Sequence, residues 1–136
     1  MDVDELQEFL LAAFPDNPST VRVEEVHDRG VRLRLPVTAA NSRPGGTVSG
    51  PSLMALADTG AWLSVLSRIG PVAMAVTTSL HIDFLRRPEL VDVIADATLV
   101  KLGRRLGVTD VAMWSVTEGP DRLVAKALVT YSIPGG

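Results

Sequence analysis

The sequence has 136 residues, 46% of them hydrophobic, a length and composition that suit one globular domain with a buried core. Its 16 acidic and 13 basic residues give a formal net charge of -3, which argues against general attraction to nucleic acid. The lack of cysteine excludes disulfides and zinc-thiolate sites. The acidic N-terminal residues do not resemble a signal peptide, and no apolar run reaches the roughly 18 residues of a membrane span. We therefore expect a cytoplasmic protein without nucleic-acid or membrane partners.

The first half of the chain predicts two helices and a hairpin. Apolar residues at helical spacing predict a short N-terminal helix at about residues 3–14, which Pro15 ends. Alternating apolar residues on either side of residues 28–30 predict an antiparallel hairpin over residues 21–37. Residues 38–50 have no period and are predicted to form a loop. A long apolar helix then extends from Ser52 to about Arg68 and ends at Gly70.

Four strand-like runs follow the long helix, at residues 72–86, 91–102, 106–117 and 123–133. A helix that is apolar nearly all round has to be buried, and long antiparallel strands bury it by curling around it. The sequence therefore predicts an α+β fold in which a curved antiparallel sheet of five to six strands wraps one central helix. A single domain should cover residues 1–136.

Asp58 is an isolated acid within the long apolar helix. At about 100° per residue it lies away from the face of Ser64 and Ser67, and no Lys or Arg stands three or four residues from it. Burying an unpaired carboxylate is costly, and perturbed acids collect at functional sites. We therefore place Asp58 at the centre of the function. The alternatives are a structural partner elsewhere in the chain, or a water-filled seam between subunits.

The turn PGGTVSG, at residues 44–50, immediately precedes this helix. A helix N-terminus offers free backbone N–H groups that suit a developing oxyanion, and Gly50 allows a carbonyl group to approach closely. The turn lacks the Walker pattern and its Lys. Gly50 and Asp58 are about 12 Å apart along the helix axis, too far to reach one atom from the same subunit. They could meet across a two-fold axis, which predicts a homodimer with composite sites.

Several segments together resemble the hotdog-fold acyl-CoA thioesterases of the PaaI-like, phenylacetic-acid-degradation type. They are GTVSGPSLMALADT at residues 46–59, TTSLHIDFLRRP at residues 77–88, and Gly103-Arg104, and the resemblance covers about residues 21–133. It implies a hotdog fold, dimers with a continuous sheet, and usually tetramers made of two dimers. The implied reaction is hydrolysis of an acyl-CoA thioester to a free acid and CoA. CoA is then part of the substrate, and no separate cofactor is expected.

The resemblance also implies roles for particular residues. Asp58 matches a helix acid that acts as nucleophile or general base, and Gly50 matches the backbone N–H that polarises the thioester carbonyl. Thr77 falls where a hydroxyl residue helps to position the attacking water. The implied substrate-binding residues are a loop Asn, two residues at the helix start and two near the CoA end: Asn41, Ser49, Pro51, Gly103 and Arg104.

Two departures from the family pattern keep other functions open. The usual His-Gly-Gly at the helix start reads Ser49-Gly50-Pro51, and Asn41 stands farther from Gly50 than is usual in the family. Because the His is missing, the main alternative is a protein that binds acyl-CoA with little or no hydrolysis. A hotdog dehydratase is less favoured, because that chemistry usually needs a His paired with an acid.

The remaining polar residues predict no other chemistry. His81 belongs to the strand face opposite Leu80 and Ile82, and no His/Asp/Glu cluster predicts a metal site. Neither Ser49 nor Ser52 lies in a Gly-x-Ser-x-Gly motif. Basic residues near strand ends are expected to be solvated, although one or two could contact the phosphates of CoA: Arg86, Arg87, Lys101, Arg104 and Arg105.

Overall fold

A computed structural model describes residues 1–135, and its elements follow one another in an order close to the predicted one. No helix in this range is long and apolar enough to cross a membrane. The predicted loop at residues 38–50 contains a short 3-10 turn and a miniature hairpin. The elements are α1 (Val3–Ala13), β1 (Arg22–His27), β2 (Gly30–Leu35), the 3-10 turn (Ala39–Asn41), β3 (Ser42–Arg43), β4 (Thr47–Val48), α2 (Gly50–Ile69), β5 (Val76–Phe84), β6 (Val93–Leu102), β7 (Leu106–Ser115) and β8 (Leu123–Ser132).

The main sheet of the described residues has six antiparallel strands in the order β1-β2-β6-β7-β8-β5. Helix α2 packs against the strands from β2 across to β5, and half of its length is buried in the core. The helix lies so close to β7 that a Cβ atom on Gly107 would stand 2.8 Å from Cγ2 of Val65. This is the predicted hotdog fold, with a long helix wrapped by a curved sheet.

Helix α1 packs against β1 and α2. Leu6 and Leu10 are almost completely buried, which accounts for their helical spacing in the sequence. The rings of Phe9 and Phe14 pack against Trp62 of α2, at centroid distances of 5.7 and 5.8 Å. Helix α1 thereby packs against the middle of α2.

The two edges of the main sheet differ in how they are protected. At β1, the side chain of Gln7 accepts a hydrogen bond from Val23 N–H at 2.8 Å and donates one to the carbonyl of Val21 at 3.2 Å. Among the described residues, no segment pairs with the outer edge of β5. Its terminal residues Val76 and Phe84 are 56% and 51% exposed. A nine-residue edge strand with exposed apolar ends offers its unpaired backbone groups to another chain.

Candidate active site

The start of α2 is fixed by a small hydrogen-bond network. Ser49 is the N-cap residue, and its hydroxyl accepts a bond from Ser52 N–H at 3.3 Å and donates to Ser52 Oγ at 2.9 Å. The Asn41 amide donates to the same Ser52 Oγ at 3.1 Å, and its backbone carbonyl accepts from Ser49 N–H at 2.7 Å. Asn41 therefore ties the loop to the helix. Ser52 was not among the predicted site residues, and it joins the network because the third helical position bonds back to the N-cap.

Gly50 keeps a free backbone donor in this network. The N–H groups of Ser49 and Ser52 are both hydrogen-bonded, and Pro51 has none. Within residues 1–135, no acceptor pairs with Gly50 N–H. This unpaired N–H lies where the partial positive charge of the helix is concentrated, so it is available to a negatively charged oxygen.

Asp58 lies two turns further along α2 and is half-buried. Its Oδ1 atom accepts two hydrogen bonds, from Thr77 Oγ1 at 2.7 Å and from the hydroxyl of Tyr131 at 2.8 Å. Its Oδ2 atom has no partner among the described residues. The carboxylate thus has distant hydroxyl partners at one oxygen, while the other oxygen remains available.

A β-bulge brings Thr77 to Asp58. The pairing of β5 with β8 shifts register between Thr77 and Ser79, so that Thr78 is the extra residue. Further along β5, Leu80 and Ile82 face the core, and strict alternation would turn Thr78 inward in place of Thr77. The bulge reverses this and points Thr77 at the helix. Bulges next to functional sites commonly redirect a side chain in this way.

Tyr131 was missed by the sequence reasoning. It pairs directly with Thr77 across β5 and β8, and its side chain is only 5% exposed. Burial raises the pKa of the Tyr131 phenol well above its usual value, and the negative charge of Asp58 adds to this increase. The phenol therefore stays protonated and acts as a donor to the carboxylate. Recognising this contact requires the register of two strands that are distant in the sequence.

The ionisation of Tyr131 should be visible directly, because the sequence contains a single tyrosine. A folded-state pKa above the unfolded value of about 10 means that this residue's contribution to stability is present below pH 10 and is lost as the pH rises further. We expect tyrosinate absorbance to appear only together with alkaline unfolding, followed by circular dichroism. Titration near pH 10 in a protein that remains folded would contradict the buried hydrogen bond.

A cleft of about 680 Å³ lies beside the start of α2. Gly50 and Pro51 line it on one side, and residues at the end of β5, including Phe84, line it on the other. Its lining includes three arginines and no acidic residue, and none of the three takes part in an ion pair within residues 1–135. These arginines are Arg43, Arg86 and Arg87; the sequence had not singled out Arg43.

The other predicted binding residues lie elsewhere in the subunit. Gly103 closes the β6–β7 turn through a bond from its N–H to Leu106 O at 2.8 Å, and Arg104 lines a separate cavity beside Ile69. Ile69 ends α2 and Gly50 begins it, so Arg104 and the arginine cleft lie at opposite ends of a helix roughly 30 Å long. Within one subunit they cannot contact the same part of a small ligand.

His81 behaves as its strand position predicts. It is exposed on the outer face of β5, with Nε2 3.2 Å from Asp83 Oδ2. Among the described residues, no group of three or more His, Asp or Glu side chains is arranged to hold a metal ion.

One family profile and several known proteins are similar to this chain. The sequence profile of the thioesterase superfamily (4HBT) matches residues 45–122, more than half of the chain. A protein of Halobacterium salinarum, provisionally named an esterase, is 37% identical over 106 residues, which are 74% of this chain and 70% of that one. The crystal structure of a provisionally named thioesterase from Silicibacter sp. TM1040 is 41% identical, with a TM-score of 0.89, covering 99% of this chain and 93% of that one.

A third relative has a structure that includes a ligand. A hypothetical thioesterase from Streptococcus pneumoniae, crystallised with coenzyme A, is 25% identical with a TM-score of 0.72, and the match covers 85% of this chain and 90% of that one. The chain belongs to the thioesterase superfamily, and thus to a class of hydrolases.

Proposed function

We propose that the protein hydrolyses an acyl-CoA thioester, with Asp58 as the nucleophile or general base and Gly50 N–H as the oxyanion donor. The observation that carries this proposal is the state of Asp58. Its Oδ1 is held by two hydroxyl groups and its Oδ2 has no partner among the described residues, so one oxygen is fixed and the other is free to react. Membership of the thioesterase superfamily indicates that the bond hydrolysed by this protein is a thioester.

The reaction consumes one water molecule and one thioester. As a general base, Asp58 takes a proton from water, and the resulting hydroxide adds to the thioester carbonyl. As a nucleophile, its oxygen adds directly, and water later cleaves the acyl anhydride. In both routes the carbonyl oxygen becomes negative and the C–S bond breaks. In the general-base route, Asp58 passes the proton it took from water to the leaving sulfur. In the nucleophilic route, CoA leaves as a thiolate that takes a proton from solvent, and the water that cleaves the anhydride releases the acid and regenerates the Asp58 carboxylate. The unpaired Gly50 N–H is suited to stabilise that negative oxygen.

The site is complete only in a dimer. The uncovered edge of β5 is the available place for a second copy to extend the sheet, since Gln7 occupies the edge of β1. Antiparallel pairing of two β5 strands about their midpoint, Leu80, sets Thr77 opposite Asp83 of the second subunit. Dimerisation would also cover the exposed apolar ends of β5.

This pairing places the oxyanion donor of one subunit near the catalytic carboxylate of the other. Gly50 stands beside Phe84, since a Cβ atom on Gly50 would lie 3.5 Å from Phe84 Cζ. In the paired strands, Asp83 of one subunit faces Thr77 of the other, and Phe84 is the residue next to Asp83. Thr77 in turn donates a hydrogen bond to Asp58 of its own subunit. Gly50 N–H of one subunit therefore approaches Asp58 of its neighbour. Each dimer has two such composite sites, and two dimers can assemble into a tetramer.

The arginine cleft provides a binding place for the CoA portion. Arg43, Arg86 and Arg87 face a cleft that also includes Gly50, so a phosphate group bound there would lie near the oxyanion donor. Arginine forms bidentate bonds with phosphate, which favours a nucleotide-bearing thiol over a small one. The coenzyme A bound to the Streptococcus pneumoniae relative supports the same substrate class. Cytoplasmic location and catalysis without a further cofactor remain part of this proposal.

A panel of acyl-CoA thioesters with thiol detection tests the function. We expect release of free CoA from at least one acyl-CoA, and a much higher KM for the same acyl group on N-acetylcysteamine, which lacks the phosphates. Oxygen esters of the same acids serve as controls for the bond class. A protein that cleaves none of the CoA thioesters would contradict the proposal.

The second candidate function is acyl-CoA binding without hydrolysis. It is motivated by Ser49, which stands in place of the His that is usual at this helix start and which is engaged with Ser52. Calorimetric binding of the same acyl-CoA panel separates the two functions. Tight binding of an acyl-CoA that stays intact during prolonged incubation would favour the binding protein.

A further inference from the structure

Tyr131 stands out because the reaction described above does not use it, although it contacts the reacting group. We propose that Tyr131 is a positioning residue that, together with Thr77, locks Oδ1 of Asp58 and makes Oδ2 the oxygen that attacks the thioester or deprotonates water. This inference rests on the proposed function and adds to it the identity of the reacting atom.

The two donors converge on one oxygen. Thr77 Oγ1 and the Tyr131 hydroxyl lie 2.7 and 2.8 Å from Oδ1 of Asp58, so both of their protons are directed to the same atom. A carboxylate has acceptor sites on both oxygens, and two bonds to one of them fix the rotation of the group. The unbonded Oδ2 then keeps its lone pairs for the substrate or for water.

Of the two donors, Tyr131 is the more deeply buried. It is 5% exposed and lies on β8, which is paired on both sides by β5 and β7, whereas Thr77 is exposed within one subunit. Its hydroxyl also stands 3.3 Å from the backbone carbonyl of Asp58. It has only one proton to donate, and the shorter distance assigns that proton to Oδ1. The phenol therefore holds the carboxylate against the helix turn that carries it.

The protonation state of the phenol supports this role. Burial keeps the pKa of Tyr131 above its ordinary value, so the hydroxyl stays protonated beyond the pH at which an exposed tyrosine ionises. A donor that loses no proton during the cycle orients the carboxylate without competing with it as a base.

The first test is the variant Tyr131→Phe, which keeps the ring in the core and removes only the hydroxyl. Loss of a hydrogen bond to a charged group should lower kcat roughly tenfold to a hundredfold, with KM within about twofold of the wild-type value. Ser132→Ala is the matched control, because it removes a hydroxyl from the next position of β8, on the opposite face. In the Asp58→Asn background, Tyr131→Phe should cause no further loss.

The second test measures the contact without turnover. Because the chain has one tyrosine, incorporation of fluorotyrosine labels Tyr131 only, and its fluorine resonance reports on the hydroxyl. We expect Asp58→Asn to move this resonance and Ser132→Ala to leave it unchanged. An unchanged resonance in folded Asp58→Asn would overturn the proposal even if Tyr131→Phe failed to fold.

The kinetic results distinguish failure of the positioning role of Tyr131 from failure of the proposed hydrolysis. Full kcat in Tyr131→Phe, with an inactive Asp58→Asn, would overturn the positioning role and leave the proposed function standing. A raised KM with unchanged kcat would assign Tyr131 to substrate binding and overturn it as well. Full activity in Asp58→Asn, or no hydrolysis by the wild-type protein, would overturn both.

Discussion

Replacement of Asp58 by Asn is expected to lower kcat for acyl-CoA hydrolysis by roughly 10²- to 10⁴-fold, the range that a positioned acid-base group contributes. Asn has the shape of Asp, and its carbonyl oxygen can still accept the hydrogen bonds from Thr77 and Tyr131. Its amide nitrogen then occupies the place of Oδ2, where it can neither take a proton from water nor attack a carbonyl carbon. The fold should therefore survive while the reaction is lost.

The measurement is steady-state hydrolysis of the best acyl-CoA from the panel, with thermal unfolding as the check on folding. Asp16→Asn is the matched control, because it removes an exposed carboxylate between α1 and β1, at the opposite edge of the sheet from β5. We expect this control to keep nearly full activity. Wild-type rates in Asp58→Asn would show that the acid does not take part in the chemistry.

The sequence was sufficient for the order of the two helices and the six long strands, because hydrophobic periodicity is a local property. It also located the apolar helix and the exception within it, Asp58, since an acid in such a helix is conspicuous without any knowledge of its neighbours. The helix start was placed two residues late, at Ser52 in place of Gly50. Ser49 and Pro51 carry the N-cap and early-helix signals that mark the observed beginning.

The partners of Asp58 depend on long-range pairing, which periodicity does not reveal. Thr77 was selected by resemblance, whereas alternation along β5 would have turned Thr78 toward the helix. The bulge that decides between them is a property of the β5–β8 register. Tyr131 is 73 residues from Asp58 in the sequence and becomes its partner only because β8 lies beside β5. The strands and the β1–β2 hairpin were predicted, but the pairing of β5 with β8 was not.

One subunit alone cannot form the complete proposed site. Gly50 N–H and Asp58 are separated by two helical turns, and in the proposed dimer a second copy on the β5 edge would bring one to the other. The same two-fold arrangement would run the two α2 helices antiparallel. The Arg104 end of one subunit would then lie toward the arginine cleft of the other, so that residues at opposite ends of α2 could serve one CoA molecule.

Gly50→Pro should lower kcat by roughly 10²- to 10³-fold, because it deletes the proposed oxyanion donor. Proline is favoured at the first helical position, and the ψ of 151° at Ser49 already suits a residue that precedes proline. Gly50→Ala is the control, since it keeps the N–H and its Cβ would make an ordinary contact with Phe84 at 3.5 Å. Equal activity in the Pro and Ala variants would show that Gly50 N–H is not the donor.

Mixing the two inactive variants tests the composite site itself. When Asp58→Asn and Gly50→Pro subunits are refolded together in equal amounts, half of the dimers contain one of each. In such a dimer, one site combines both substitutions, and the other combines an intact Asp58 with an intact Gly50 N–H. The mixture should therefore recover about a quarter of the wild-type rate per subunit, as isologous pairing requires. A mixture no more active than its parents would place Asp58 and its oxyanion donor in the same subunit.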